Sequence, residues 1–257
     1  MNSAIRPKKH LGQHFLADKN MARKIAGCVQ GHSGNLLEIG AGTGSLTRYL
    51  QDEWNGRLWV IEVDKEAVEY LHQNFPGLSG RIIENDILTH NLNLCFHGGE
   101  FRIIGNFPYN ISSQILFKVL EYRSQVTEVV GMFQKEVAKR ICSPPGNKDY
   151  GILSVLLQAY YEMEYLFDVP PSVFVPSPRV HSGVVRLTRK PGVKMECDEN
   201  LFAAIVKKGF NQRRKKLSNA LKGIIAGRTL KSRYLDLRAE QLSWNDFAEL
   251  TRCLEKG

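Results

Sequence analysis

The sequence predicts an α/β protein with a mostly parallel sheet, an antiparallel hairpin at one edge, and a small all-helical C-terminal domain. Three observations support this fold class. Apolar runs rich in β-branched residues alternate with helical stretches in the first half of the chain, two further strands follow, and the pattern beyond Pro191-Gly192 is helical. Alternating strands and helices are typical of parallel sheets, and such sheets tolerate an antiparallel edge.

The first elements are short apolar runs at 36–39, 58–63, 81–83 and 101–104, which we interpret as buried strands. Helices are predicted at 45–53, 65–74 and 113–122, and on the second of them Ala67, Val68 and Leu71 share one face. A fifth strand is expected at 128–133 and a helix at 135–141. The run Ser143-Pro144-Pro145-Gly146-Asn147 then predicts a loop.

The later elements are a helix at 150–159, a strand at 161–167, an extended proline-rich stretch at 169–180 and a strand at 184–187. Pro191-Gly192 marks the expected domain boundary, which gives domains at 1–190 and 193–257. Helices are predicted in the second domain at 200–209, 213–225 and 243–255. Ser243 is the expected N-cap of the last helix.

Composition is that of a folded cytoplasmic protein. The chain has 257 residues, of which 43% are hydrophobic and 24% charged, so disorder as the dominant state is not expected. No apolar run is long enough to predict a transmembrane helix, and the segment after the basic start is too short and polar for a signal peptide. The five cysteines include no CxxC pair, which indicates reduced thiols, and the histidines show no metal-binding spacing.

The net charge of +9 favours a polyanionic partner, and its distribution is uneven. Residues 207–233 contain many Lys and Arg and no Asp or Glu, and the first ten residues add Arg6, Lys8 and Lys9. Within the longer basic segment, the run Arg213-Arg214-Lys215-Lys216 is a candidate RNA-binding cluster. A solvated helix face is a serious alternative for these four residues.

A glycine motif, Glu38-Ile39-Gly40-Ala41-Gly42-Thr43-Gly44, follows the first strand and precedes a helix. Glycines let the backbone turn sharply and approach a ligand closely. The dinucleotide fingerprint needs a third glycine at position 45, where Ser45 stands. With Glu62 ending the next strand, where a carboxylate can accept ribose hydroxyls, the pattern fits S-adenosylmethionine better. A turn without ligand is the alternative.

Two weaker candidates lie elsewhere. Asp86 ends the third strand, where it could accept from an adenine amino group, but capping of a turn is equally compatible with its position. Phe174, in the run Phe174-Val175-Pro176-Ser177-Pro178-Arg179-Val180, could stack on a base from a proline-stiffened loop. Taken alone, that motif favours a buried Phe beside a rigid turn.

The most specific motif is Gly105-Asn106-Phe107-Pro108-Tyr109-Asn110, at the end of the fourth strand. It resembles the catalytic loop of adenine amino-methyltransferases. The lone pair of an adenine amine is delocalised into the ring, so the amine is a poor nucleophile. Acceptance of its two N–H groups by the Asn106 side chain and a backbone carbonyl, of Phe107 or Pro108, would aim the lone pair at a methyl donor. Tyr109 could stack on the extruded base.

Taken together, these motifs resemble the KsgA-type small-subunit (16S) ribosomal RNA adenine dimethyltransferases. The residues that carry the resemblance are 9–16, 38–44, 62, 86, 106–109, 134–136, 150–154 and 174–180. It implies a Rossmann-like class I methyltransferase sheet and a small helical domain. It also implies transfer of four methyl groups from S-adenosylmethionine to two adjacent adenosines near the 3′ end of 16S rRNA, within the small ribosomal subunit or its precursor.

By position, the resemblance implies site residues for cofactor and base. Cofactor binding would fall to His14, Leu16, Gly40, Gly42, Glu62, Asp86 and Asn106, and catalysis to Asn106, Pro108, Tyr109 and Phe174. His14 and Phe107 stand where Asn and Leu are frequent. We expect a cytoplasmic monomer without metal or membrane partner. The alternatives are a large-subunit rRNA methyltransferase of the antibiotic-resistance type and a non-catalytic RNA-binding assembly factor.

Overall fold

A sheet of mixed direction forms the centre of the fold. The computed structural model describes residues 5, 7–8, 11–31, 33–226 and 232–256. Its strands there are β1 (Phe15–Leu16), β2 (Asn35–Ile39), β3 (Leu58–Glu62), β4 (Ile82–Glu84), β5 (Phe101–Asn106), β6 (Val126–Gln134), β7 (Tyr161–Val169), β8 (Phe174–Val175) and β9 (Ser182–Arg189). In these ranges seven strands form one sheet, in the order β4-β3-β2-β5-β6-β9-β7. Neighbours from β4 to β6 are parallel and β9 is antiparallel to β6, which confirms the predicted fold class.

The central strands are apolar because both faces of the sheet are covered. Leu36 and Leu37 on β2 point to opposite faces, and both are 0% exposed, as is Ile104 on β5. Apolar and polar residues therefore do not alternate along these strands, and only their apolar, β-branched composition predicts them from the sequence.

Strand order reverses at the centre of the sheet. From β2 the chain continues to β3 and β4 on one side, while β5 and β6 lie on the other. In open α/β sheets ligands bind beyond the carboxyl ends of the strands at such a reversal. Since β2 ends at Ile39 and β5 at Asn106, the glycine motif and the Asn106 loop lie side by side there.

The helices of the described residues are α1 (Lys19–Ala26), α2 (Thr47–Glu53), α3 (Lys65–Asn74), α4 (Asn93–Phe96), α5 (Ser112–Glu121), α6 (Lys135–Ile141), α7 (Ile152–Tyr160), α8 (Glu199–Asn211), α9 (Leu217–Ala220), α10 (Lys222–Ile225) and α11 (Trp244–Lys256). The apolar face predicted for α3 is buried. Ser243 caps α11 as predicted, since its Oγ accepts the Asp246 N–H at 3.2 Å.

The prediction of one helix over 213–225 is wrong. α8 ends at Asn211, residues 212–214 form a turn that Lys215 continues as a bend, and two short helices follow after Lys216. The reason lies at Lys216, whose backbone is extended (φ −59°, ψ 150°) and forms a β-bridge with Arg238. The Leu217 N–H then donates to the Leu237 carbonyl at 2.8 Å instead of to a preceding helical turn.

Two compact units divide the chain. The first comprises Met1–Ala138 and Met163–Arg189, and the second Lys139–Glu162 and Lys190–Gly257. The longer segment of the second unit begins at Lys190, beside the predicted boundary, but the unit also takes in Lys139–Glu162 and with it α7, which lies within the predicted first domain. α7 packs on α8 and α11. Gly209 of α8 lets neighbouring side chains approach, since a Cβ there would lie 2.9 Å from a methyl carbon of Leu217.

None of the helices in the described ranges is both long and apolar enough to cross a membrane. Within the same residues, no group of His, Cys, Asp and Glu side chains is arranged to hold a metal ion. All five cysteines are free thiols.

Candidate active site

The glycine motif turns tightly between β2 and α2. Gly40, Gly42 and Gly44 all have positive φ (70°, 54° and 72°), which L side chains rarely adopt. Aromatic rings also lie too close to two of these glycines for a side chain to fit there. A Cβ would lie 2.8 Å from the Phe15 ring at Gly42 and 2.3 Å from the Phe75 ring at Gly44. At Gly40 the nearest atom would be the Pro108 Cδ at 3.9 Å, an ordinary van der Waals contact, so no neighbouring atom crowds this glycine.

Glu62 ends β3 and is 5% exposed. Its Oε2 accepts the Gly42 N–H at 2.9 Å, and its Oε1 accepts the N–H groups of Val63 and Asp64 at 2.9 and 3.0 Å. Burial raises the pKa of this carboxyl against the effect of those three bonds. A carboxylate offers about four acceptor positions, so about one remains for a ligand hydroxyl. Glu62 thus also fixes the glycine loop.

Glu38 is a second buried carboxyl, on β2 two residues before Gly40, and the motif by itself predicts no separate role for it. It is 1% exposed, and the Thr47 hydroxyl donates to its Oε2 at 2.7 Å. Burial raises its pKa to about 7, and the nearby Glu62 adds to this.

Asn106 closes β5 with its amide held in one orientation. Its Nδ2 donates to the backbone carbonyl of His14 at 2.8 Å. No group in the described residues donates to its Oδ1, which belongs to a side chain lining the cleft. The amide oxygen is therefore available as an acceptor for a ligand N–H.

The backbone carbonyls after Asn106 differ in availability. The Pro108 carbonyl already accepts the Ile111 N–H at 3.1 Å, which closes a turn. Among the described residues, none donates to the Phe107 carbonyl. Of the two candidates for a second acceptor, the geometry favours Phe107.

The Phe107 ring points into the core and is 0% exposed. It packs edge-on against Phe133 at 5.2 Å between centroids. Two glycines on adjacent strands make room for it, since a Cβ at Gly105 or Gly131 would lie 2.6 or 2.5 Å from its ring. The large ring of Phe107 thus fits because Gly105 and Gly131 beside it have no side chains.

Tyr109 stands half-buried at the rim of the cleft. Its hydroxyl forms a 2.5 Å hydrogen bond with the Ser182 hydroxyl on β9, and its ring stacks on His14. Burial raises the pKa of the phenol, so it stays neutral at physiological pH.

The N-terminal segment forms one wall of the cleft, through contacts that the sequence analysis missed. Lys8 Nζ and Gln13 Nε2 donate to the two carboxylate oxygens of Asp64 at 2.6 and 3.0 Å. Burial alone would raise the pKa of Asp64, but these bonds hold it below its usual value. Gly12, with φ 65°, passes so close to Asn110 that a Cβ would lie 2.6 Å from its Oδ1. Lys9 and His10 lie outside the described residues.

These parts enclose a cleft of about 480 Å³, a volume that includes its open mouth. The candidate site residues that line it are His14, Gly40, Gly42, Glu62, Asn106, Pro108 and Tyr109. The other lining residues are Leu11, Gly12, Gln13, Phe15, Val63 and Phe107.

Three candidates do not line this cleft in the described structure. Leu16 and Phe174 are cross-strand partners in the small sheet of β1 and β8, and both are buried in the core, 5% and 3% exposed. Asp86 caps a turn after β4, with its Oδ1 accepting the Leu88 N–H at 2.9 Å. Local roles account for all three placements, so their binding roles stay predictions.

The basic cluster in the second unit is half neutralised. Arg213 Nε pairs with Glu240 at 2.6 Å, and Lys216 Nζ with Asp236 at 3.1 Å. Arg214 and Lys215 are exposed, and neither has an acidic partner among the described residues. Of the other cations in the basic segment, Arg228 and Lys231 lie outside those residues.

Comparison with known proteins finds relatives over almost the full length of the chain. The chain is 51% identical over 255 residues to a protein of Flavobacterium johnsoniae named "Ribosomal RNA small subunit methyltransferase A", covering 98% of this chain and 97% of the relative. A protein of the same name from Cytophaga hutchinsonii is 50% identical over 253 residues, covering 97% and 98%.

Solved structures share the fold. The match to a dimethyladenosine transferase from Plasmodium falciparum has a TM-score of 0.78 at 23% identity, covering 95% of this chain and 98% of that one. The match to the 23S rRNA methyltransferase ErmE has a TM-score of 0.65 at 24% identity, covering 93% and 99%. The family described as "Ribosomal RNA adenine dimethylase" matches residues 4–255. Nearly the whole chain is thus accounted for by one family, and the protein belongs to the ribosomal RNA adenine dimethylases.

Proposed function

We propose that this protein is an S-adenosylmethionine-dependent rRNA adenine-N6 dimethyltransferase that modifies two adjacent adenosines near the 3′ end of 16S rRNA. The observation that carries the proposal is the orientation of Asn106. Its amide nitrogen is bonded to the His14 carbonyl, so its oxygen is the atom presented to the cleft. An acceptor fixed in this way suits an exocyclic amine.

The cleft fits S-adenosylmethionine in three respects. Gly40 is uncrowded beside the turn, Glu62 keeps about one acceptor position for a ribose hydroxyl, and Val63 presents an apolar surface that is 49% exposed. Bound there, the cofactor supplies an electrophilic methyl group on a sulfonium. The buried carboxylate and the loop amides that it holds would fix the ribose end.

Asn106 and the Phe107 carbonyl would act on the target amine. Each accepts one N–H, which draws the nitrogen toward a tetrahedral form and concentrates its lone pair on one side. Both acceptors are preorganised, Asn106 by its bond to His14 and Phe107 by its buried ring, so little rearrangement is needed at the moment of reaction. No general base is required, because the amine can lose its proton to water after attack.

Tyr109 would hold the extruded base by stacking. Its hydroxyl is anchored to Ser182, which limits rotation of the ring. Phe174 was the expected partner on the other side of the base, but its burial in the core favours a structural role in this conformation.

The small ribosomal subunit is the proposed substrate, rather than the large subunit. The supporting observation is the name shared by the relatives at 50–51% identity over almost the full chain. The likeness to ErmE is at 24% identity and supports only the fold. Arg214 and Lys215 are the proposed phosphate contacts of the second unit, and action as a cytoplasmic monomer stays a prediction.

The test is methyl transfer to small subunits that lack the modification. They are incubated with the protein and isotopically labelled S-adenosylmethionine, and the digested rRNA is analysed by mass spectrometry, with primer extension to locate the site. N6,N6-dimethyladenosine at two adjacent positions near the 3′ end is expected. Label in large-subunit rRNA alone would support the antibiotic-resistance type, and cofactor binding without transfer to either subunit would support an assembly factor.

A further inference from the structure

His14 joins three elements that surround the cleft. Its Nδ1 lies 2.8 Å from the Pro176 carbonyl oxygen, its ring stacks on Tyr109, and its own carbonyl accepts from Asn106. Because a carbonyl oxygen only accepts, the Nδ1 atom must be the protonated one. One side chain therefore links the N-terminal segment, the proline-rich loop and the catalytic loop.

We propose that His14 is a positioning residue for the target base: its ring supports one face of Tyr109 and keeps the opposite face ready for the adenine. This inference rests on the proposed function, because it assumes that Tyr109 stacks on the base. It differs from the role at the methionine end of the cofactor that the family resemblance implies.

The contact between the His14 and Tyr109 rings supports this positioning role. The centroids of His14 and Tyr109 are 5.5 Å apart with 30° between the planes, which is the spacing of two rings in direct contact. No base fits between rings at that spacing. An adenine must therefore stack on the other face of Tyr109, or it must displace His14.

The anchoring of His14 favours the first arrangement. Displacement would break the hydrogen bond from Nδ1 to the Pro176 carbonyl and the ring contact together. With His14 in place, Tyr109 is fixed at two points, by the ring against its face and by the Ser182 hydroxyl at its tip. Aromatic platforms held in this way need no ordering when the base arrives.

Two substitutions separate the contributions of His14. His14→Asn removes the ring, while His14→Phe keeps a ring and removes the donor to Pro176. His72→Asn, at an exposed position on α3, is the matched control. Cofactor affinity is measured by isothermal titration. The single-turnover rate is measured on unmodified small subunits with cofactor and subunits both saturating, and thermal unfolding checks the fold.

A positioning role predicts a specific split between rate and affinity. The single-turnover rate should fall about three- to tenfold in His14→Asn, within the range that an aromatic contact contributes, and less than about threefold in His14→Phe. The dissociation constant for the cofactor should stay within about twofold in both, and His72→Asn should match the unaltered protein.

Other results would overturn the inference. Weaker cofactor binding, with a rate restored by saturating cofactor, would make His14 a cofactor ligand. A faster rate in His14→Asn would mean that the ring occupies the place of the base. If the protein without substitutions is active and both His14 variants react at its rate, the positioning role alone is refuted. If the protein without substitutions methylates no rRNA, the proposed function is refuted and this role with it.

Discussion

Substitution of Arg214 and Lys215 is expected to change the salt dependence of RNA binding more than substitution of their two neighbours. The four residues of the basic cluster are consecutive, but only these two are exposed without an acidic partner in the described part of the chain. Arg213 and Lys216 are already bound to Glu240 and Asp236. A phosphate contact by either of those would require an ion pair to be broken first.

The magnitude follows from counterion release. Each phosphate contact contributes about 0.9 to the log–log salt slope on duplex nucleic acid and about 0.7 on single strands. Arg214→Ala/Lys215→Ala should therefore flatten the slope by about 1.4–1.8. Arg213→Ala/Lys216→Ala removes the same net charge, but it should change the slope by well under one unit.

The assay is binding of labelled small subunits to each double variant at several potassium chloride concentrations, with circular dichroism to check the fold. Cofactor affinity should be unchanged in both variants. All four substituted residues belong to the second unit, whereas the residues that line the cleft belong to the first. Equal slopes for the two double variants would refute the argument, because net charge alone would then set the effect. An unaltered slope in both would assign the cluster to solubility.

Three further outcomes are expected. Asn106→Ala should fold and bind cofactor, yet lose most single-turnover methyl transfer, because its oxygen acts mainly in the transition state. Near-normal turnover would mean that another group holds the amine. Glu62→Ala should weaken cofactor binding in isothermal titration by about 1–3 kcal/mol, since it removes a charged acceptor and leaves three loop N–H groups unpaired; an unchanged dissociation constant would remove it from the ribose role. The folded protein holds a proton on Glu38 up to about pH 7, above the unfolded value of 4.5, so stability should fall as pH rises through that window, by at most about 3 kcal/mol. Urea unfolding of Glu38→Gln should lack this loss, and an identical pH profile in both proteins would contradict it.

Local pattern in the sequence was enough for the sheet and for the residues at its carboxyl edge. Strand runs such as 36–39 are apolar because central parallel strands are covered on both faces. Gly40 directly follows β2, Glu62 and Asn106 end β3 and β5, and parallel strands bring their carboxyl ends to one edge. The position of these residues at the ends of predicted parallel strands was therefore enough to locate the cleft.

Contacts between remote residues decided the rest, because periodicity carries no information about them. Lys8 reaches an aspartate 56 residues away, and Arg213 a glutamate 27 residues away. Lys216 adopts an extended conformation and forms a bridge with Arg238, so the basic cluster lies in irregular structure and not in the predicted helix. Phe174 is buried because a two-residue strand pairs it with Leu16, and so short a strand has no recognisable period. Which charges stay available, and which rings face the cleft, was settled only when the chain had folded and each side chain had met its partner.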